Sequence, residues 1–148
     1  MKTILAIWNS ADKGKTDTLR EFANLLLSTY PSYKLIYPIP LSIPPVYDFR
    51  LVVEVKGVIV GIESQGDPNT HLENRLFDLE SKFNCDIILC TTRTRGDTVA
   101  AVDNLASKRG FEVIWTSTYQ IDDPTKHSIV NKLKAEHILE LFKGLSLL

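Results

Sequence analysis

The sequence predicts an α/β fold in which a mostly parallel sheet, with one antiparallel hairpin, lies between two layers of helices. Short apolar and β-branched runs alternate with longer stretches whose apolar residues recur every three or four positions. The short runs are nearly continuous in apolar residues, as is typical of strands that helices cover on both faces. Only one pair of runs is close enough in sequence to form a hairpin. We find no repeat or linker, so we expect one domain over residues 1–148.

The first predicted elements are a strand at Thr3–Trp8 and a helix that begins at Lys15. The helix ends before Pro31, because proline disfavours the helical conformation of the residue that precedes it. A short strand follows at Lys34–Tyr37, and four prolines then predict an irregular loop over residues 38–45. The apolar positions of the helix fall on one face: Leu19, Phe22, Ala23, Leu26, Leu27 and Tyr30.

The middle of the chain predicts the hairpin. Its strands are Phe49–Val55 and Val58–Glu63, and Lys56-Gly57 between them is typical of a tight turn. Turn residues in the sequence ESQGDPN close the second strand. The helix that follows has one apolar face: Leu72, Leu76, Leu79 and Phe83.

The last part of the chain predicts two more strands and two more helices. A strand at Asp86–Thr91 precedes a helix that Asp97 caps and Gly110 ends. A strand at Phe111–Trp115 follows, and the final helix comes after Pro124. We expect that helix to carry four apolar residues: Ile129, Leu133, Leu141 and Leu145.

Composition excludes several classes of protein. The 148 residues are 44% hydrophobic and 24% charged, which is ordinary for a globular protein, and the formal net charge of −1 gives no electrostatic reason to expect a nucleic-acid or membrane partner. No stretch is long enough to be a membrane span. The two cysteines do not suggest a disulfide framework or a zinc site, and the three histidines are too scattered for a metal site. We expect a cytoplasmic protein.

Polar segments follow four of the predicted strands. In a parallel sheet they gather at the carboxyl ends of the strands, where folds of this class bind ligands. The segments are Asn9–Thr16, Glu63–Asn69, Thr91–Asp97 and Thr116–Gln120.

The segment after the first strand has the strongest functional pattern. It reads Asn9-Ser10-Ala11-Asp12-Lys13-Gly14-Lys15-Thr16, between a strand and an amphipathic helix. It resembles the phosphate-binding loop of P-loop nucleoside triphosphatases and kinases, G-x-x-x-x-G-K-[ST]. The resemblance implies that the whole segment wraps phosphate, that Lys15 reaches the β- and γ-phosphates and that Thr16 binds Mg²⁺.

Asn9 departs from the pattern, because the family has glycine there. Asparagine tolerates a left-handed backbone better than most residues, so the turn is still feasible. Three interpretations stay open: a working P-loop, a degenerate loop that no longer binds phosphate, and a helix N-terminus that matches by chance. In a working loop we expect the Lys15 side chain to be exposed.

Carboxylates at the end of the second hairpin strand are candidates for managing Mg²⁺. Glu63 ends that strand and Asp67 follows four residues later; the alternative is that both only close a turn. We expect Glu63 to lie within reach of Thr16. The sequence Glu63-Ser64-Gln65-Gly66 also resembles the D-x-x-G switch of P-loop GTPases, but no N-K-x-D motif follows, so the resemblance does not extend to guanine specificity.

Arg93 and Arg95 follow the next strand. Arginine suits bidentate contact with phosphate and the neutralisation of charge in phosphoryl transfer, and in an extended segment both side chains point the same way. The alternative is a solvated loop with two surface arginines.

These features predict Mg²⁺-dependent binding of a nucleoside triphosphate, ATP or GTP with ATP favoured, and either its hydrolysis or phosphoryl transfer to a small molecule. The expected catalytic residues are Lys15, Glu63, Arg93 and Arg95, and the expected metal ligands are Thr16, Glu63 and Asp67. An anionic acceptor would suit the two arginines. The alternative is a non-catalytic nucleotide-sensing or degenerate P-loop module that acts through a protein partner.

Overall fold

The computed structural model describes residues 2–148 and contains a six-stranded mixed sheet and four α-helices. The strands are β1 (Thr3–Trp8), β2 (Lys34–Tyr37), β3 (Arg50–Val55), β4 (Val58–Glu63), β5 (Ile87–Thr92) and β6 (Glu112–Ser117). The helices are α1 (Lys15–Thr29), α2 (Leu72–Ser81), α3 (Asp97–Arg109) and α4 (His127–Gly144), with a single 3₁₀ turn at Pro124–Lys126 before α4. The predicted α/β class and the order of elements are confirmed.

The sheet has the strand order β2-β3-β4-β5-β1-β6. Strands β4, β5, β1 and β6 are parallel, whereas β3 runs antiparallel to both of its neighbours. The predicted hairpin is therefore confirmed. Its turn residues Lys56 and Gly57 have φ angles of 53° and 80°, as a turn with two left-handed central residues requires. Strand β5 lies between β1 and β4, which separates the Asn9–Thr16 loop from the end of β4.

Helices cover both faces of the sheet. One apolar cluster joins α1 and α4 to the sheet, and Phe22 of α1 meets Phe142 of α4 edge-on at 5.8 Å between ring centres. A second cluster joins α2 and α3 to the opposite face. Side chains alternate between the two faces along each strand, so Leu5 and Ile7 of β1 face α1, whereas its Ala6 faces the other layer. This alternation decides which residues reach the candidate site.

The apolar residues that the sequence pattern identifies on α4 are not the ones that the helix buries. Four of them are exposed: Ile129, Leu133, Leu141 and Leu145. The apolar residues that α4 buries are Ala135, Ile138, Leu139 and Phe142. The helix is apolar around much of its circumference, so the sequence supports two helical faces, and the contact with α1 selects the second.

The predicted ends of α3 are partly correct. Gly110 ends the helix with a left-handed φ of 71°, as expected. Asp97 is not the N-cap: it is the first helical residue, and Gly96 occupies the cap position. The Asp97 carboxylate instead accepts a long hydrogen bond of 3.5 Å from the Asn69 backbone N–H.

None of the helices within residues 2–148 is both long enough and apolar enough to cross a membrane.

Both cysteines are buried, and we expect them to be inert toward a thiol reagent in the native protein. Burial raises the pKa of Cys85 to about 12, with a smaller contribution from Asp86, and burial raises the pKa of Cys90 further. The reactive thiolate is therefore scarce at neutral pH. Titration with a chromogenic disulfide should detect two thiols only after denaturation. Rapid, stoichiometric labelling of the folded chain would contradict this burial.

Candidate functional site

The four polar segments meet at the carboxyl edge of the sheet, as predicted. Three side-chain contacts join them: Asn9 to Thr118 at 3.0 Å, Lys15 to the Thr92 carbonyl at 2.8 Å, and Arg93 to Asp67 at 3.1 Å. Three of the segments, all except Thr116–Gln120, border a polar cleft of about 370 Å³, here called the loop cleft. Its walls are residues 11–17 on one side and Asp48, Ser64, Asp67, Thr91 and Arg93 on the other.

Backbone N–H groups give the loop cleft the character of an anion site. Within residues 2–148, no backbone N–H group from Ala11 to Thr16 donates a hydrogen bond to the protein, and all six residues line the cleft. The cleft also lies at the N-terminus of α1, where the helix dipole favours negative charge. Unpaired N–H donors at such a place can donate hydrogen bonds to a bound anion.

Gly14 has two structural reasons to be glycine. Its φ of 77° is left-handed, and a Cβ atom there would lie 2.9 Å from Oδ1 of Asn131, a buried residue of α4. The Gly14 carbonyl accepts the Thr18 hydroxyl at 2.7 Å, which fixes the loop to the first turn of α1. A side chain at Gly14 would therefore require the Asn131 side chain to shift, in addition to the strain of a left-handed backbone.

Lys15 is buried, so the expectation that it is exposed is wrong. Its Nζ donates to the carbonyls of Asn9 and Thr92, each at 2.8 Å. These two hydrogen bonds fix the position of the side chain in the wall of the cleft. Burial lowers the pKa of Lys15, the Arg93 guanidinium lowers it further, and Asp67 and Asp12 oppose them. The protein thus holds a poorly compensated ammonium group beside the free N–H groups.

This environment predicts a pH dependence of anion binding. A bound anion stabilises the charged form of Lys15, so binding requires the proton that burial makes easier to lose. We expect the affinity for a triphosphate to fall as pH rises, starting below the ordinary lysine pKa of 10.5. Calorimetric titrations with ATP from neutral pH upward test this. Constant affinity up to that pKa would show that the charge of Lys15 does not contribute.

Asn9 keeps the loop in place by a different means from the one expected. It is not among the residues with positive φ; Asp12, at 57°, takes the left-handed conformation instead. The Asn9 side chain accepts from the Ser10 N–H at 2.8 Å and donates to Ser117, the last residue of β6, and to Thr118 beyond it. It does not line the loop cleft, so it leaves the cleft open.

Asp48 is a site residue that the sequence did not reveal. Its Oδ1 accepts the Thr16 hydroxyl at 3.3 Å and the Ser64 hydroxyl at 2.9 Å. Ser64 in turn accepts the Phe49 N–H at 2.7 Å, which fixes the start of β3. Asp48 follows an irregular proline-rich loop rather than the carboxyl end of a strand, so no strand-end pattern marks it.

Glu63 is not brought to the loop cleft. Residues alternate along β4, so Ile62 packs against the α1 side and Ser64 beyond it lines the cleft, whereas Glu63 faces α2. Its carboxylate is almost fully buried and pairs with Arg50 at 2.8 Å and with Arg75 at 3.5 Å. Burial raises the pKa of Glu63, although both guanidinium groups oppose the change. The expectation that Glu63 lies beside Thr16 is therefore not supported.

Asp67 and Arg93 do lie in the loop cleft, paired with each other at 3.1 Å. Arg95 is exposed and does not line the cleft. The prediction that both arginine side chains point the same way, into the site, is therefore wrong. Between β4 and Asp67 the chain passes close to β5, where the Thr91 hydroxyl donates to the Ser64 carbonyl at 2.9 Å.

Oxygen atoms around Thr16 form the part of the cleft best suited to a hard cation. The carboxylates of Asp48 and Asp67 line the cleft with the Thr16 hydroxyl. Within residues 2–148, no group of three or more His, Cys, Asp or Glu side chains is placed to hold a metal ion. A Mg²⁺ ion there would need oxygen ligands from its partner anion, as is usual for Mg²⁺ bound with phosphates.

Comparison with known proteins gives no match: no family model, no curated protein and no solved structure is significantly similar to this chain. What the cleft binds has to be inferred from its own residues.

Proposed function

We propose that this chain binds a nucleoside triphosphate with Mg²⁺ and carries out phosphoryl chemistry on it, within a P-loop NTPase-like fold. One observation carries the proposal: the backbone N–H groups of residues 11–16 lack acceptors within residues 2–148, and these residues line a cleft at the start of α1. A phosphate chain offers several oxygen atoms in sequence, so it can accept from several of these donors together.

Two cations assist the N–H groups. Lys15 uses two of its three N–H donors on the Asn9 and Thr92 carbonyls, which leaves one for a phosphate oxygen. Arg93 lies on the opposite wall, held by Asp67. Its guanidinium group is suited to neutralise charge that develops on a transferring phosphoryl group. These residues surround the anion from two sides.

The residues around Thr16 fit Mg²⁺ bound together with phosphate. Because Thr16 donates its proton to Asp48, the lone pairs of its oxygen are available to a cation. Asp67 supplies a second oxygen ligand from across the cleft, directly or through water. Bound Mg²⁺ would offset the charge on the phosphate oxygens. We assign the metal contacts to Thr16 and Asp67, and the acceptance of the Thr16 proton to Asp48. Glu63 has no part in either.

A nucleotide panel tests the proposal. Thermal unfolding is measured with ATP, GTP, ADP and GDP, each with and without Mg²⁺. We expect the largest stabilisation with a triphosphate and Mg²⁺, because only the native state has the cleft. No stabilisation by any of the four would overturn the proposal. Binding without turnover, with or without a candidate acceptor, would favour the nucleotide-sensing alternative.

Arg93 and Arg95 provide a matched pair for the catalytic role. Removing Arg93 should lower turnover by about tenfold or more with a smaller effect on nucleotide affinity, if its contact strengthens in the transition state. Arg95→Ala removes the same charge from the same loop, outside the cleft, and should behave like the wild type. Steady-state rates and ATP affinities of both variants are compared. Equal rates for the two variants would assign the Arg93 side chain no part in the chemistry.

A further inference from the structure

A second polar cleft lies on the α2 face of the sheet. It measures about 460 Å³, is here called the Glu63 cleft, and is bordered by the ends of β3 and β4 and by the first turns of α2. The side chains that matter to its chemistry are Asp48, Arg50, Glu63, Asn74, Arg75 and Asp78. Asp48 also lines the loop cleft, so the two clefts share one carboxylate.

Glu63 is a buried charged group with an unused acceptor. Its side chain is only 2% exposed, and both arginine contacts, from Arg50 and Arg75, are made to Oε1. Within residues 2–148, Oε2 accepts no hydrogen bond, although the residue lines the cleft. Oε2 is not among the fully buried atoms that lack a partner, so it reaches the water of the cleft, and a ligand that supplies a hydrogen-bond donor can take the place of that water.

The charges of the cleft select the kind of ligand. The guanidinium of Arg50 is shared among Glu63, the Arg75 carbonyl and Asp78, and Arg75 donates to the Thr70 carbonyl at 2.8 Å as well as pairing with Glu63. Both guanidinium groups of the cleft are therefore already engaged by carboxylates and backbone carbonyls, and Lys82 pairs with Asp78 at 3.5 Å. This engagement disfavours an anion and favours hydroxyl or ammonium groups, which donate hydrogen bonds.

We propose that the Glu63 cleft binds the phosphoryl acceptor, a small hydroxyl-bearing molecule that is uncharged or cationic. The inference rests on the proposed function, because the loop cleft would hold the phosphoryl donor. Glu63 Oε2 binds a hydroxyl or ammonium group of the acceptor, and Asn74, exposed on α2, offers an amide at the rim. The anionic acceptor that the sequence suggested, bound by Arg93 and Arg95, is disfavoured.

Asp48 lies where the two substrates would meet. In the transfer, an acceptor hydroxyl oxygen forms a bond to the terminal phosphorus of the triphosphate. The bond from that phosphorus to the bridging oxygen breaks, and the nucleoside diphosphate leaves with that electron pair. The hydroxyl proton passes to water in the cleft, while Asp48 holds Thr16 and Ser64 through Oδ1.

The test measures acceptor binding separately from nucleotide binding. Three matched pairs of probes are titrated by calorimetry: cytidine and its 5′-monophosphate, myo-inositol and its 1-phosphate, and ethanolamine and glycolate. Glu63→Gln keeps the Oε1 acceptor but removes the charge, and Asn74→Trp obstructs the rim without breaking an internal hydrogen bond. The control is Ser81→Trp, which places the same side chain on an exposed position of α2 outside the cleft. The ATP thermal shift is recorded for each variant.

We expect at least one of cytidine, myo-inositol and ethanolamine to bind more tightly than its anionic partner. Both cleft variants should weaken that binding by about tenfold or more, since a hydrogen bond to a charged group is lost or blocked, whereas Ser81→Trp should not. The ATP shift should persist in all three variants. Preference for the anionic partners, no binding by any of the three, or equal binding by the cleft variants and wild type overturns the acceptor site. If ATP produces no thermal shift in the wild-type protein, the proposed function is overturned, regardless of which probes bind.

Discussion

Replacement of Lys15 by alanine is expected to weaken triphosphate binding by about a hundredfold or more, because an ammonium group beside phosphate makes charge-assisted hydrogen bonds. The Nζ atom is already positioned, held by the Asn9 and Thr92 carbonyls at 2.8 Å, so little side-chain entropy is lost when the anion arrives. Calorimetric titration with ATP and Mg²⁺ measures the change directly.

The same substitution should change the free energy of unfolding little. Burial lowers the pKa of Lys15, which means that the charged side chain is less well stabilised in the folded protein than in water. Its removal relieves that cost, and the Thr92 carbonyl keeps the Asn9 N–H as a donor at 3.2 Å. The variant should therefore lose ATP affinity while its free energy of unfolding changes little, as expected when a charged side chain is positioned for a ligand.

Lys13 supplies the control for Lys15. Lys13 lies in the same loop and carries the same charge, but it is exposed. Its backbone carbonyl accepts a hydrogen bond from Gln120, and an alanine variant keeps that carbonyl. We expect Lys13→Ala to weaken ATP binding far less, through long-range attraction alone, and high salt should remove most of that difference. Equal losses in the two variants would mean that the loop attracts the nucleotide only by its total charge.

The sequence predicted the edge of the sheet at which the site forms, but only part of its contents. Strand and helix periods are local properties, so the segments at residues 9–16, 63–69, 91–97 and 116–120 were assigned to one edge correctly. The face to which a side chain points depends on which helix packs on which side. A shift by one residue exchanges Glu63 for Ser64 in the loop cleft. That choice is fixed by contacts among α1, α4 and the sheet, which no local pattern contains.

Asp48 and α4 show the same limit in two other ways. Asp48 reaches Thr16 across 32 positions of sequence, after a proline-rich loop whose path has no periodic pattern. In α4 the apolar residues surround the helix, so local periodicity supports two buried faces, and only the contact with Phe22 of α1 decides between them. Irregular backbone and all-round apolar helices are decided by tertiary contacts.

The loop between β4 and Asp67 depends on one glycine. A Cβ atom on Gly66 would lie 1.9 Å from the Thr91 carbonyl oxygen and 2.5 Å from its carbonyl carbon. Both atoms belong to the backbone of β5 at Thr91, which is buried and paired with Ile7 of β1, so neither can move aside as a flexible side chain would. Any side chain at this position must push the loop off the sheet.

We therefore expect Gly66→Ala to lower the free energy of unfolding by more than about 4 kcal/mol, in the range that follows severe overpacking combined with lost buried hydrogen bonds. The displaced loop carries Ser64, whose carbonyl accepts the Thr91 hydroxyl and whose own hydroxyl binds Asp48. Protein that still folds should also lose ATP binding, because Asp48 and Asp67 would leave the cleft. Urea unfolding followed by circular dichroism measures the first effect, and titration with ATP measures the second.

Gly144→Ala provides the matched control, since it makes the same substitution in the last turn of α4, where an added Cβ meets no atom within 4 Å. Alanine is the better helix former, so this variant should be as stable as the wild type or more stable by up to about 1 kcal/mol. Opposite signs for the two variants would show that the loss at Gly66 comes from contact with β5 and not from a changed unfolded state. If Gly66→Ala were as stable as Gly144→Ala, the close approach of this loop to Thr91 would be wrong. The placement of Asp67 in the loop cleft would then have no support.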